Sequence, residues 1–143
     1  MSSLHTLTVF CVMSVAMVAV TCASAQSPDP ELSGNFLPAV LASSAPHRES
    51  LVALIKGKQG LPSWVRNMVR QPRYVALASK QVEVAGKSMQ VFEACEAKRC
   101  EESRIRVLYS ADGKRTLLRV SDVKLGEKIF GQPSAGEMRA LGL

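Results

Sequence analysis

Ile105-Arg106-Val107-Leu108-Tyr109-Ser110-Ala111-Asp112-Gly113-Lys114-Arg115-Thr116-Leu117-Leu118-Arg119-Val120 is the stretch that decides the fold. Ile105, Val107 and Tyr109 alternate as a strand, Asp112-Gly113 supplies a turn, and Arg115 to Val123 return as its partner. A two-residue turn there sets Ile105 opposite Val120, Val107 opposite Leu118 and Tyr109 opposite Thr116. The same register places Arg106 opposite Arg119 on the outer face. Like charges so placed cost roughly a few tenths of a kcal/mol unless a Glu or an anion lies between them. A bridging Glu is the expectation, an anionic partner the alternative.

Upstream the same period begins at Tyr74. Val82 and Val84, then Met89 and Val91, read as two strands joined at Ala85-Gly86, with glycine available for positive φ and Val82 opposite Met89. Between the hairpins lies Cys95-Glu96-Ala97-Lys98-Arg99-Cys100, which is therefore a connection between strands. Before Tyr74 the spacing is helical. Phe36, Leu37, Val40 and Leu41 suggest one short helix, and Ser43-Ser44-Ala45-Pro46 a break. Leu51, Leu54 and Ile55 give a second stripe that Gly57 and Gly60 stop. Leu61, Trp64, Val65, Met68 and Val69 form the clearest apolar face, with Pro62 at its start and the sole Trp as core. Beyond Gly126 the pattern is less legible, although Ser134 with Glu137 is a capping box for a last helix through Leu141. The fold class expected is α+β, a single domain over residues 26–143 with an antiparallel sheet flanked by short helices.

The N-terminus reads differently. Leu7 to Val20 is apolar on every face, shorter than a bilayer span, and followed by Ala23-Ser24-Ala25 and a polar, proline-containing segment. This is a signal peptide over residues 1–25, although its charged region offers His5 and no Lys or Arg. Export to the periplasm follows, with no membrane span. A lipoprotein acylated at Cys22 is the minor alternative, since Ala19-Val20-Thr21 matches such sites poorly. All 18 Lys and Arg and all 12 Asp and Glu follow the leader, so the net charge of +6 belongs to the exported part. That balance suits an anionic surface or plain solubility. Nucleic acid is not an expected partner outside the cytoplasm.

Cys95 and Cys100 are the two cysteines that follow the leader, and an oxidising compartment joins them most simply as one disulfide. With only His47 beside them no closed Cys/His metal site is available, and no metal or other cofactor is expected. His47 reads as a solvated loop histidine tied to no nucleophile. Glu93, Glu96, Glu101 and Glu102 crowd basic neighbours and read as surface charges, so no catalytic residue is assigned and a binding protein is expected instead of an enzyme. A bridge over so short a loop removes only about 2 kcal/mol of unfolded-chain entropy. Its stronger effect is to hold Glu96, Ala97, Lys98 and Arg99 in a fixed projecting shape, which lowers the ordering cost of binding.

Leu61-Pro62-Ser63-Trp64-Val65, a hairpin ending in Ala94-Cys95, the Cys-x4-Cys loop and the Arg104-Ile105-Arg106-Val107 strand resemble, in order and spacing, the Ivy family of periplasmic inhibitors of vertebrate lysozyme. The similarity runs from about Leu51 to about Leu118. It implies an α+β domain, often a homodimer, whose disulfide loop enters the cleft of a C-type lysozyme. There the family loop reads Cys-Lys-Pro-His-Asp-Cys and its histidine meets the two catalytic carboxylates. Here Glu96 stands for the lysine, Ala97 for the proline, Lys98 for the histidine and Arg99 for the aspartate. Lys98 retains a compact cation for a carboxylate, while Arg99 reverses a charge and Ala97 gives up stiffness. A charge of +6 also opposes approach to basic lysozymes. The resemblance thus implies a muramidase-binding protein with weak lysozyme inhibition, or one with another envelope partner such as a lytic transglycosylase. A small periplasmic hydrolase using the Glu-rich loop flank is the third alternative.

Overall fold

Alternating apolar residues build the sheet in the computed structural model, which describes residues 32–143. The expected leader over 1–25, its cleavage site and Cys22 lie outside the described residues. Six strands, β1 (Tyr74–Ala76), β2 (Lys80–Val84), β3 (Lys87–Glu96), β4 (Ser103–Ser110), β5 (Thr116–Asp122) and β6 (Gly126–Phe130), form one antiparallel sheet in the order β1-β3-β4-β5-β6. Both β1 and β2 pair with β3, β1 with residues 94–96 and β2 with residues 87–91, so they share one edge of this long strand.

The register follows the side-chain pattern. Ile105 pairs with Val120, Val107 with Leu118, Tyr109 with Thr116 and Arg106 with Arg119, and Val82 pairs with Met89. Ala85 (φ 50°) and Gly86 (φ 74°) both take positive φ, as a two-residue turn matched to strand twist requires. The 112–113 turn is wider than two residues: the Asp112 carboxylate accepts from Ser110 Oγ (2.6 Å) and the Lys114 N–H (3.1 Å), while Gly113 N–H bonds Ser110 O (2.8 Å). The added residues fall symmetrically about Asp112-Gly113, which leaves the register unchanged.

Two helices that meet at Ser44, α1 (Leu37–Ser43) and α2 (Ala45–Ile55), cover one face of the sheet together with α3 (Ser63–Asn67). Leu37, Leu41, Leu51, Leu61, Val65 and Met68 there bury Phe92, Ile105, Val107, Tyr109, Leu118 and Val120. The opposite face is covered at one end by α4 (Ala135–Ala140), where Val84, Met89, Val91, Leu108 and Leu117 pack with Leu141. The described chain is therefore a single α+β domain with a main core and a smaller second one. α4 begins with the expected capping box: Ser134 Oγ accepts the Glu137 N–H and Glu137 accepts the Ser134 N–H.

The structure changes several of these readings. The stripe from Leu61 to Val69 is helical only over Ser63–Asn67 and continues as turns. Pro72 disfavours helix just ahead of it, and the apolar residues are buried without a longer helix. The less legible stretch forms a last strand, β6, over Gly126–Phe130; its burial is slight, so little alternation marks it. His47 is not solvated: it sits in α2 at 8% exposure, its ring 4.7 Å from that of Tyr109 and its Nδ1 2.7 Å from Ser44 Oγ. The break expected over Ser43-Ser44-Ala45-Pro46 is present but narrows to Ser44, because Pro46 occupies the first turn of α2, where a missing N–H costs nothing. Burial lowers the His47 pKa, an effect the nearby Asp112 carboxylate partly opposes.

Candidate partner-binding loop

β3 delivers Cys95 into the ladder opposite Val75 on one side and Arg104 on the other, and the chain returns through Cys100 to β4. The two cysteines are bridged, with Cα atoms 4.8 Å apart. Inside the loop, the Arg99 N–H donates to Glu96 O (2.9 Å), and the N–H groups of Glu102 and Ser103 both donate to Arg99 O (3.0 Å). Lys98 takes φ 67°, a left-handed conformation that costs a non-glycine residue about 1 kcal/mol and persists where the surroundings over-determine it. The bridge and the flanking strands supply that constraint.

The four loop side chains are unequal. Arg99 folds back: its Nη1 donates to Glu96 at 2.9 Å, while Nε and Nη2 donate to Glu102 at 3.0 and 2.7 Å. The hydrogen bond to Glu102, and then the charge of the nearby Glu96, raise the Arg99 pKa further against partial desolvation. Ala97 and Lys98 are exposed at the apex, and Lys98 takes part in no ion pair among the described residues. Glu101 lies on the flank, 3.6 Å from Arg104 with its side chain almost wholly in solvent.

Below the loop is a brace. Trp64 Nε1 donates to Ser103 Oγ at 2.9 Å, and the Trp64 ring lies 5.8 Å from that of Tyr74, the strand partner of Glu96. Burial pushes the Tyr74 hydroxyl up to about 12. Asp122 accepts the N–H groups of Lys124 (2.9 Å) and Leu125 (3.0 Å), and the Val123 N–H reaches Glu102 O (2.9 Å). A hydrogen bond from Ser103, with these backbone donors, lowers the Asp122 pKa. The loop is thus tied to α3, to β1 and to the β5–β6 turn. Shallow depressions flank it on both sides of Trp64, one reaching Arg73 and Gln71, the other Lys124 and Leu125.

The arginine pair on the outer sheet face is resolved by carboxylates, as the bridging expectation had it, though by two of them. Arg106 lies 3.2 Å from Glu93 and Arg119 lies 3.0 Å from Glu127. Of the four glutamates read as surface charges, Glu93 and Glu96 are half-buried and paired, Glu102 is paired, and Glu101 is free in solvent apart from Arg104. Asp112, Asp122 and Glu137 all have lowered pKa values, which suits them to accept hydrogen bonds at neutral pH and not to hold a proton for donation. Among the described residues no three His, Cys, Asp or Glu side chains stand together to hold a metal ion, and no helix is long and apolar enough to cross a membrane.

Sequence reasoning missed the brace of Ser103 and Asp122 and read Trp64 as plain core. The clamp on Arg99 was open to a spacing argument, since Glu96 and Glu102 each lie three residues away. No protein-family model matches the chain, and no curated protein matches it.

Proposed function

We propose that the chain is a divergent protein of the Ivy type, exported to the periplasm, which binds a muramidase through its disulfide loop and occludes the cleft without chemistry of its own. The observation that carries the reading is the exposure of Lys98 at the apex of a loop whose every other ionic group is engaged or flanking. A rigid loop with one free ammonium suits a cleft containing paired carboxylates, because a charge-assisted contact forms there and little ordering entropy is lost. The favoured target is a C-type lysozyme or a related enzyme, held weakly, since Arg99 is spent on Glu96 and Glu102 and adds nothing outward. The net charge of +6 favours a second reading, in which the partner is a less basic muramidase of the envelope such as a lytic transglycosylase.

The test is inhibition of cell-wall lysis by purified protein, measured against a C-type lysozyme and against a lytic transglycosylase. Weak inhibition of at least one is expected, and Lys98→Ala should abolish it, while Lys98→His should retain it. Tight inhibition that Lys98→Ala leaves unchanged would move the binding surface elsewhere. Inhibition of neither enzyme would sink the muramidase reading.

A further inference from the structure

A cleft of about 550 Å³ opens between the end of α2 and the end of α3. Val52, Ile55 and Val69 give it an apolar lining, and four cations line it as well: Lys56, Lys58, Arg66 and Arg70. None of the four takes part in an ion pair or a side-chain hydrogen bond among the described residues. The sheet and its β4–β5 turn behave otherwise: Arg104, Arg106, Arg115 and Arg119 each face a Glu within 4 Å. No acidic residue occurs between Glu49 and Glu83, so the chain brings no carboxylate to the cleft from its own neighbourhood. Two helix C-terminal ends meet here, and their carbonyls favour cations. Each is worth at most about half a negative charge, however, which leaves most of the positive charge uncompensated.

From this we propose that the cleft is a docking site for the headgroups of anionic phospholipids. Lys56, Lys58, Arg66 and Arg70 would engage the phosphate oxygens, and Val52, Ile55 and Val69 would meet the glycerol and the first methylenes of the chains. The phosphate suits the cations because guanidinium and ammonium groups both bind it strongly, the former in a bidentate way. The lipid source, as against a free phosphate, is favoured by this apolar lining, of which Val52 stays 39% exposed. A small hydrophilic anion would leave these residues wet, whereas a bilayer surface covers them. Residence at the membrane would hold the loop of the proposed muramidase contact close to the cell wall, but the lipid site stands on its own residues and is tested apart from that contact.

The experiment is co-sedimentation of the purified chain with vesicles of equal parts phosphatidylglycerol and phosphatidylcholine, beside pure phosphatidylcholine, at about 0.1 M salt. Binding to the anionic vesicles alone is expected. Arg66→Glu with Arg70→Glu should lower the partition by at least about tenfold, given several-fold per basic side chain at an anionic surface. Lys80→Glu with Lys124→Glu, of equal net charge but remote from the cleft, should change it less than about twofold. Lys56→Gln with Lys58→Gln, in the exposed turn after α2, gives the same reading should the first pair disturb folding. Equal losses in the cleft and remote pairs, or no binding to anionic vesicles, would overturn the proposal. Displacement by millimolar glycerol phosphate would assign the cleft to a soluble phosphate and overturn the lipid source.

Discussion

Glu137 shows how one side chain can carry several local demands at once. It closes the capping box of α4, and it accepts two hydrogen bonds from Arg115, at 2.6 and 2.8 Å. The Arg115 contact, with the backbone and hydroxyl of Ser134, brings its pKa from 4.5 to about 2 against the effect of burial. Because the folded value lies below the unfolded one, this stability is present above pH 4.5 and is lost as pH falls toward about 2. With Arg115 half exposed, solvent screening leaves on the order of 1–2 kcal/mol. Glu137→Gln should therefore lower the melting temperature at pH 7 and flatten its decline between pH 4.5 and 2; an unchanged acid limb would contradict the assignment. Gly113 makes a second demand of this kind. Its φ is 72°, and a Cβ there would stand 2.2 Å from Nδ1 of the buried His47. Gly113→Ala should cost about 2 kcal/mol in denaturant unfolding, combining backbone strain with overpacking. A cost near zero would mean that His47 is free to move.

Among the elements, the disulfide loop separates stability from display. The bridge spans five residues of sequence, for which chain entropy predicts a contribution of about 2 kcal/mol. Cys95→Ser with Cys100→Ser should lower stability by that order and leave the sheet's far-ultraviolet spectrum intact, since Trp64, Ser103, Asp122 and the Val123–Glu102 backbone bond still hold the loop's base. Partner binding should fall further than stability, because the apex holding Ala97 and Lys98 loses its fixed shape. Equal affinity for reduced and bridged protein would show that the constraint has no part in binding. The loop was legible as a connection because two hairpins flank it. Its orientation was not, since the brace joins residues from three distant segments.

At the scale of the whole molecule, charge is unevenly placed. Arginines of the sheet and its β4–β5 turn are matched with glutamates, so much of the +6 resides on unpaired Lys and Arg elsewhere, the α2–α3 cleft prominent among them. Such a field acts over a Debye length and governs encounter more than the final contact. For a basic lysozyme the association rate should rise as salt increases from about 0.02 to about 0.2 M, as repulsion is screened. For an acidic envelope enzyme it should fall. Stopped-flow or surface-based kinetics with each enzyme decides between the two partner readings, and a salt-independent rate would remove long-range charge from both.

The pairing within the two hairpins, the capping box at Ser134 and the disulfide were determined by the sequence itself. Each rests on side chains close along the chain or on a period of two, which a one-residue slip would break everywhere at once. What only the tertiary structure decided depends on contacts between distant segments. His47 is buried because Tyr109 and Gly113, about sixty residues away, close over it once α2 lies on the sheet. β6 is a strand because β5 offers it an edge, although its own side chains are mostly exposed. Arg99 turns inward and Lys98 outward because Glu96 and Glu102 reach the one and, among the described residues, no carboxylate reaches the other. Local pattern specifies which backbone groups pair, whereas burial and ion pairing are set by whatever the completed fold brings within a few ångströms.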